Sequence, residues 1–287
     1  MCDTALKRLA KIYISHSKCI YQNLAFEEFL FRKHDLTKEG DAMIVWSNKP
    51  AVVIGRHQNP WVEVNVPYVR EQGIDLVRRH SGGGTVYHDL GNLNISILTS
   101  HSDHCRPRNL SFISDSLNKQ YEVNIVPNKR DDMELLPGNR KCSGTAARIS
   151  QGKAYHHLTL LIQADLERLK RALHSPYKNF IESNATQSVR APAVGFLKQD
   201  DENVNVENVR STIIQAFKEK FELCTVQDVD IESEMMEHED IVRNYQVLRE
   251  WKWVFGNTPK FVYNNKISSK TIEKGLEVGS GERFTLF

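Results

Sequence analysis

The sequence predicts an α+β fold, one in which helices and mostly antiparallel strands occupy separate stretches rather than alternating. Two observations carry this. In the first hundred residues one amphipathic helix is followed by short apolar runs separated by turn residues, with no regular strand–helix–strand rhythm. Further on, Val206 to Leu223 sets Val209, Ile213, Ala216 and Phe217 along one stripe, the clearest amphipathic helix in the chain.

Taken in order, Gln22 to His34 reads as a helix. Asn23 stands where a cap would, and Phe26/Leu30 and Ala25/Phe29 pair four residues apart. Ala42 to Trp46 and Ala51 to Ile54 are apolar strands around Asn48-Lys49-Pro50, the pattern of a hairpin. A polar loop, Gly55 to Trp61, precedes a helical turn over Val66 to Gln72. Strands are expected at Ile74 to Arg78, Thr85 to Tyr87, Asn94 to Leu98, Glu122 to Val126 and Ala154 to Ile162, and helices at Asn109 to Tyr121 and Asp165 to Ala172. Ile181 to Pro192 is a polar loop, Glu232 to Arg249 holds a further helix, and the aromatic segment Trp251 to Phe261 ends in turn residues. Lys266 to Phe287 is polar and glycine-containing, too little to bury a core of its own.

Composition narrows the classes. The chain has 287 residues, 40% hydrophobic and 26% charged, ordinary for a globular protein of one large domain and a small one. A net charge of +2 gives no electrostatic argument for nucleic acid or a membrane surface, and neither partner is expected. Five scattered cysteines fit free thiols in a reducing compartment better than a disulfide framework. Lys7, Arg8 and Lys11 among Leu6, Leu9 and Ala10 make at most a weak organellar presequence, with Asp3 counting against it. His101 to Cys105 brings histidine and cysteine together at a spacing that matches no zinc pattern, so no metal ligand is assigned.

Two stretches point to chemistry. In Arg78-Arg79-His80-Ser81-Gly82-Gly83-Gly84-Thr85-Val86-Tyr87-His88-Asp89, three glycines between strands allow a sharp turn or a close approach to a ligand. Free backbone N–H groups beside two arginines suit an anion, and a glycine hairpin packed tightly for steric reasons fits equally. No Gly-Lys-Ser/Thr follows, and no helix opens there, so neither a Walker loop nor a dinucleotide fingerprint is present. In Gly138 to Ala146, Lys141 sits between a turn and a run of small residues. It is either a mobile charge for a carboxylate and a phosphate or a surface lysine beside a turn. In an extended segment Cys142 points away from Lys141, which disfavours it as a nucleophile. Of His156 and His157, one is placed to face a pocket, though a hydrogen-bonded structural histidine is the default.

Together these stretches resemble the lipoate–protein ligase and lipoyltransferase family. The likeness runs from about Tyr21 to Phe261. It rests on Val53 to Trp61, the Arg78 to Asp89 block, Arg140-Lys141 with Ser143-Gly144, and Tyr155-His156-His157 with Thr159-Leu160-Leu161. It is nearest to the mitochondrial lipoyltransferases of animals, through Arg56-His57-Gln58, Gly84 to Tyr87, Ser175-Pro176-Tyr177 and Ser183 to Thr186.

The resemblance implies a biotin/lipoate ligase-like catalytic domain, a mixed sheet with packed helices, over residues 21–250. An N-terminal segment, 1–20, would precede it, and a linker with a truncated accessory segment, 251–287, would follow. It implies lipoyl-AMP as substrate, and ATP with Mg²⁺ only if the enzyme is a complete ligase; the truncated tail favours transfer from preformed lipoyl-AMP. It assigns nucleotide contacts to Arg79 and Gly84, Thr85, Val86 and Tyr87, with Ser81, Gly82, Gly83 and His88 in the same binding block. Lys141 becomes the catalytic lysine, Asp132 lies near adenine or a metal, and His157 lines the pocket, while Leu24, Phe26 and Leu160 pack. The acceptors implied are lipoyl domains of 2-oxoacid dehydrogenase complexes and the glycine cleavage H protein, in mitochondria, with the enzyme a monomer. The rival readings are a full ligase and a non-catalytic protein that binds the acceptor.

Overall fold

In the computed structural model, which describes residues 9–264, a mixed sheet of six strands runs through the middle of the domain in the order Ser143–Ser150, Lys153–Leu161, Asn92–Ser100, Asp41–Trp46, Leu9–Ser15, Leu223–Val229. The targeting signal expected within Met1 to Lys11 falls mostly outside the described residues, as do residues 265–287 of the expected accessory segment.

The chain enters at β1 (Leu9–Ser15), which lies between Asp41–Trp46 and Leu223–Val229 and is parallel to both. This strand is not anticipated from sequence, because its Lys11, with Lys7 and Arg8 before it, reads as part of a presequence. Helix α1 (Ile20–Lys33) buries Leu24, Phe26, Leu30 and Phe31 on one face of the sheet. Asn23 does not cap it: Cys19 holds the N-cap position, and Asn23 lies one turn in, 2% exposed, its amide spent on Ser15, Ser17 and Asn48. After α2 (Leu36–Glu39), β2 (Asp41–Trp46) joins the large sheet, whereas β3 (Ala51–Ile54) enters a separate three-stranded sheet.

The expected hairpin between them is therefore absent. Nearly every residue of both strands is buried, so each needs neighbours on both sides. Pro50 also lacks the N–H that a hairpin ladder would use. Ser47 to Pro50 instead carries the chain from one sheet to the other.

Helices α3 (Pro60–Glu63) and α4 (Val66–Glu71) lead to β4 (Asp75–Arg78), and β5 (Val86–His88) completes the small sheet, ordered β4-β3-β5. β6 (Asn92–Ser100) returns to the large sheet, antiparallel to β2. Helix α5 (Arg106–Gln120) covers that sheet's far face. β7 (Ile125–Pro127), β8 (Met133–Leu135) and β9 (Arg140–Lys141) form a small antiparallel sheet at its border. β10 (Ser143–Ser150) and β11 (Lys153–Leu161) pair with Ala146 opposite His157. After α6 (Leu166–Ala172), β12 (Ile181–Ser183) interrupts what reads as a loop. α7 (Val206–Lys218) packs beside α5, and β13 (Leu223–Val229) supplies an outer strand whose largely exposed side chains give no apolar signature. α8 (Ile231–Glu237) and α9 (Glu239–Arg249) lie against α1, and β14 (Phe261–Tyr263) pairs with β12.

The layers follow from three apolar clusters. One joins α5 and α7 to the far face of the large sheet, through Ile113, Leu117, Ile213 and Phe217. A second joins α1 and the small sheet to its near face, through Phe26, Trp46, Val53 and Val77. The third lies behind the small sheet with Ile54, Tyr68 and Tyr87. Among the described residues no helix is long and apolar enough to cross a membrane.

Candidate functional site

Between the near face of the large sheet and the small sheet lies a cavity. Its apolar wall comes from Leu24 on α1, Trp46 on β2, Val53 on β3 and Val86 on β5; Arg79, His88 and His157 also face it. The strand period decides who faces in. Val86 and His88 border the cavity, whereas Tyr87 between them points into the cluster behind the small sheet. Likewise His157 faces the cavity and His156 lies on the opposite side, beside Asn109.

The triple-glycine loop joins β4 to β5, and its two arginines have separate tasks. Arg78 is fully buried, and its guanidinium donates to the carbonyls of Gly55, Arg56, Gln58, Trp253 and Val254 and to Thr258 Oγ1. It is a clamp, with no donor left for an anion, which corrects the expectation of two anion-holding arginines. Arg79 Nε donates to Ser81 Oγ (2.8 Å), Nη1 to Val53 O (3.2 Å), and Nη2 to Gly82 O (2.5 Å) and Gly84 O (2.7 Å). It braces the loop from within. Burial pulls Arg79 down to about 10, so it stays charged at neutral pH.

Gly83 takes φ +83°, and a Cβ on Gly55 would stand 2.1 Å from Gly83 O, so the loop seats directly on the polar turn after β3. That turn is pinned by Gln58, whose Oε1 accepts from Gly55 N and Thr85 Oγ1 (2.8 Å each) and whose Nε2 donates to Ser188 Oγ (3.0 Å). Thr85 N donates to the same Ser188 hydroxyl (2.8 Å). Gly82, where an added Cβ would have nothing within 4 Å, is the open point of the loop.

Ser81 Oγ also lies 2.8 Å from His157 Nε2, and His157 Nδ1 is 2.9 Å from Glu27 Oε1. The hydroxyl accepts from Arg79 Nε, and His157 Nδ1–H donates to the carboxylate. Burial works to raise Glu27, but the His157 charge and hydrogen bond outweigh it and hold the carboxyl below its usual range. His88 is driven the other way: burial first, then the Arg79 charge, push it down to about 3, so its ring is neutral.

Lys141 and Asp132 come together on the border sheet. Lys141 Nζ donates to Asp132 Oδ2 at 2.7 Å, with side chains 26% and 11% exposed. The lysine backbone is fixed by Ala193 O (3.0 Å) and Gly195 N (3.0 Å), so its side chain is the movable part. Cys142 points away into the core, fully buried and pushed up to about 12 by burial, which is no setting for a thiolate nucleophile. Three residues on from Lys141, the segment Gly144, Thr145 and Ala146 forms the cavity rim; a Cβ on Gly144 would meet Val86 at 2.9 Å. The arrangement offers a narrow apolar slot whose rim begins three residues along the chain from a partly exposed cation.

Residues 19–218 match the family model described as the lipoyl protein ligase A/B catalytic domain. The chain belongs to that family. Its relatives include the mitochondrial lipoyl amidotransferase of Mus musculus, 38% identical over 92% of this chain and 70% of the relative. The lipoate-protein ligase A of Bdellovibrio bacteriovorus is 34% identical over 88% of this chain and 73% of its own length. Among solved structures, LipL1 of P. falciparum in complex with lipoate superposes with a TM-score of 0.75 at 24% identity, covering 90% of this chain and 82% of that one. A lipoate-protein ligase A bound with ATP gives 0.67 at 24% identity, covering 87% and 99%. The family is one of transferase enzymes, and the lipoyl protein ligase fold, a mixed sheet with packed helices, is the fold described above.

Of the residues singled out from sequence, the structure gathers Arg79, Ser81, Val86, His88 and His157 around or behind one cavity and pairs Lys141 with Asp132. The parts played by Glu27, Trp46, Gln58 and Ser188 are not legible in the sequence. Glu27 is one polar letter inside a helix that otherwise reads as packing, and Leu24, expected only to pack, borders the cavity.

Proposed function

We propose that the protein transfers a lipoyl group from lipoyl-AMP to a lysine amine of an acceptor lipoyl domain. The observation that carries the reading is the apolar slot between the two sheets, whose rim at Gly144 to Ala146 begins three residues along the chain from Lys141. The lipoyl chain occupies the slot. Lys141 leaves Asp132 for the carboxyl and α-phosphate oxygens, where its charge offsets the negative charge that grows as AMP departs. The acceptor's amine attacks the acyl carbon, the C–N bond forms as the C–O bond to AMP breaks, and the amine's proton goes to solvent. No nucleophile from this chain is needed. Arg79, occupied by loop carbonyls, contributes by holding the backbone of Gly82 to Gly84 in shape beside the nucleotide, with Thr85 fixed by Gln58 and Ser188.

The relatives' names support lipoyl transfer or ligation to proteins and placement in mitochondria. A related two-part ligase of Thermoplasma acidophilum is described together with its E2 lipoyl domain. We take the acceptors to be lipoyl domains of 2-oxoacid dehydrogenase complexes and the glycine cleavage H protein. A complete ligase, which would also use ATP and Mg²⁺, is the second reading, favoured by the likeness to ligases.

One assay separates them: lipoylation of a purified acceptor domain with lipoate plus Mg·ATP, set against synthetic lipoyl-AMP. The expected result is product from lipoyl-AMP alone. Product from both makes the enzyme a full ligase, and product from neither overturns the catalytic reading.

A further inference from the structure

We propose that Arg56 is a docking residue for the acceptor protein, and that its ligand is a carboxylate on the acceptor's surface beside the lysine to be modified. The inference rests on the acceptor partner proposed above.

Three arginines gather at the glycine loop, and none of them is bonded to a carboxylate among the described residues. Arg78 donates only to carbonyls and to Thr258 Oγ1, and Arg79 only to carbonyls and to Ser81 Oγ. Neither can turn outward, being 0% and 4% exposed. Arg56 is the exposed one. Its guanidinium makes no hydrogen bond or ion pair among the described residues and rests over the Trp253 ring, 5.4 Å from the centroid.

Everything else about Arg56 is locked. Its N–H donates to Ser81 O (2.8 Å), and its carbonyl accepts from Arg78 Nη1 (2.9 Å). Trp253 is held as firmly: Nε1–H donates to Arg78 O (2.7 Å), and its own carbonyl accepts from Arg78 Nε (3.1 Å). The same ring packs against His80, with centroids 4.8 Å apart. A long side chain is thus placed in advance on a fixed aromatic support, so less freedom is lost when it binds. The ring face takes up none of the five guanidinium N–H donors. They remain for a carboxylate, which an arginine grips through two parallel hydrogen bonds.

The proposed reaction brings two kinds of anion, the adenylate's phosphate and the carboxylates of the acceptor. Position favours the second. Arg56 is outside the wall of the slot, whereas the segment that follows Lys141 forms its rim. Arg56 is bonded to Ser81, one residue before Gly82, where an added Cβ would meet nothing within 4 Å. An acceptor that brings its lysine to an adenylate held by this loop rests the surface around that lysine on the loop's open side. Positive charge without a counter-charge there draws in an acidic surface and turns away a basic one.

The experiment is a double-mutant cycle between the full chain and a purified E2 lipoyl domain in its unlipoylated form. Affinity is read by titration without any adenylate, and KM is measured separately for the domain and for lipoyl-AMP. Arg56→Gln is expected to weaken domain binding about tenfold, the scale of one charge-assisted hydrogen bond. KM for the domain should rise with it, while KM for lipoyl-AMP and kcat stay in place. Arg56→Lys keeps the charge without the fork and should recover only part of the loss. Carboxylates flanking the domain's lysine are then changed to amides one at a time. For one of them, the loss measured against Arg56 should vanish against Arg56→Gln. An unchanged domain affinity overturns the assignment, as do losses that add for every carboxylate. A loss confined to KM for lipoyl-AMP overturns it too, and gives Arg56 to the phosphate. Because binding is read without adenylate, a chain that binds the domain through Arg56 yet makes no product overturns the catalytic reading alone.

Discussion

Lys141 and Asp132 are the residues whose chemistry the sequence displays most openly. A lysine between a turn and small residues is visible in one dimension, and the structure adds the 2.7 Å carboxylate that holds it. Lys141→Ala is expected to lower lipoyl transfer by about 100-fold or more, the scale of losing one charge-stabilising donor, while the acceptor domain still binds. Equal loss of binding and transfer would instead make Lys141 a docking residue. Glu27 shows why other site residues stay hidden. Its partner, His157, is 130 positions away, and only the packing of α1 on β11 brings them together. His88 is legible as part of a motif, but its direction is not: expected with the nucleotide block, its side chain borders the cavity between the two sheets.

At the level of elements, strands that alternate or run apolar are legible, and strands defined by their neighbours are not. β2 and β3 can both be found, yet their pairing cannot, because four linking residues look alike whether they turn a hairpin or bridge two sheets. The seat of the glycine loop on the turn after β3 gives a contrast between two glycines. Gly55→Ala drives a methyl to 2.1 Å from a backbone oxygen, which cannot move without the loop. It is expected to cost about 2 kcal/mol, roughly 5 °C in Tm, by the usual cost of overpacking. Gly82→Ala meets no atom within 4 Å and should stay within about 0.5 kcal/mol. Thermal unfolding of the pair checks this, and equal losses would mean that the two segments do not bear on each other.

Across the whole molecule, acid sensitivity is built into buried histidines. Burial pushes His80 down to about 4 and His88 and His156 to about 3, from an ordinary 6.5. Below pH 6.5 the unfolded chain takes up protons that these folded rings refuse. The stability they allow is therefore complete above 6.5 and drains away as pH falls toward 3. Glu27, held below 4.5, adds a loss that begins only near that value. The urea midpoint is expected to fall already between pH 7 and 5.5, before carboxylates protonate; a flat midpoint over that interval would contradict the burial of these rings. The Arg78 clamp has a different consequence, one of timing. Its carbonyl partners on Trp253 and Val254 lie 175 and 176 positions further along the chain, and Leu9 on β1 waits for Leu223 on β13. On a ribosome making about 5–20 residues per second, the glycine loop emerges roughly ten seconds or more before the carbonyls that clamp it. The glycine loop is thus one of the last parts of the fold to be secured.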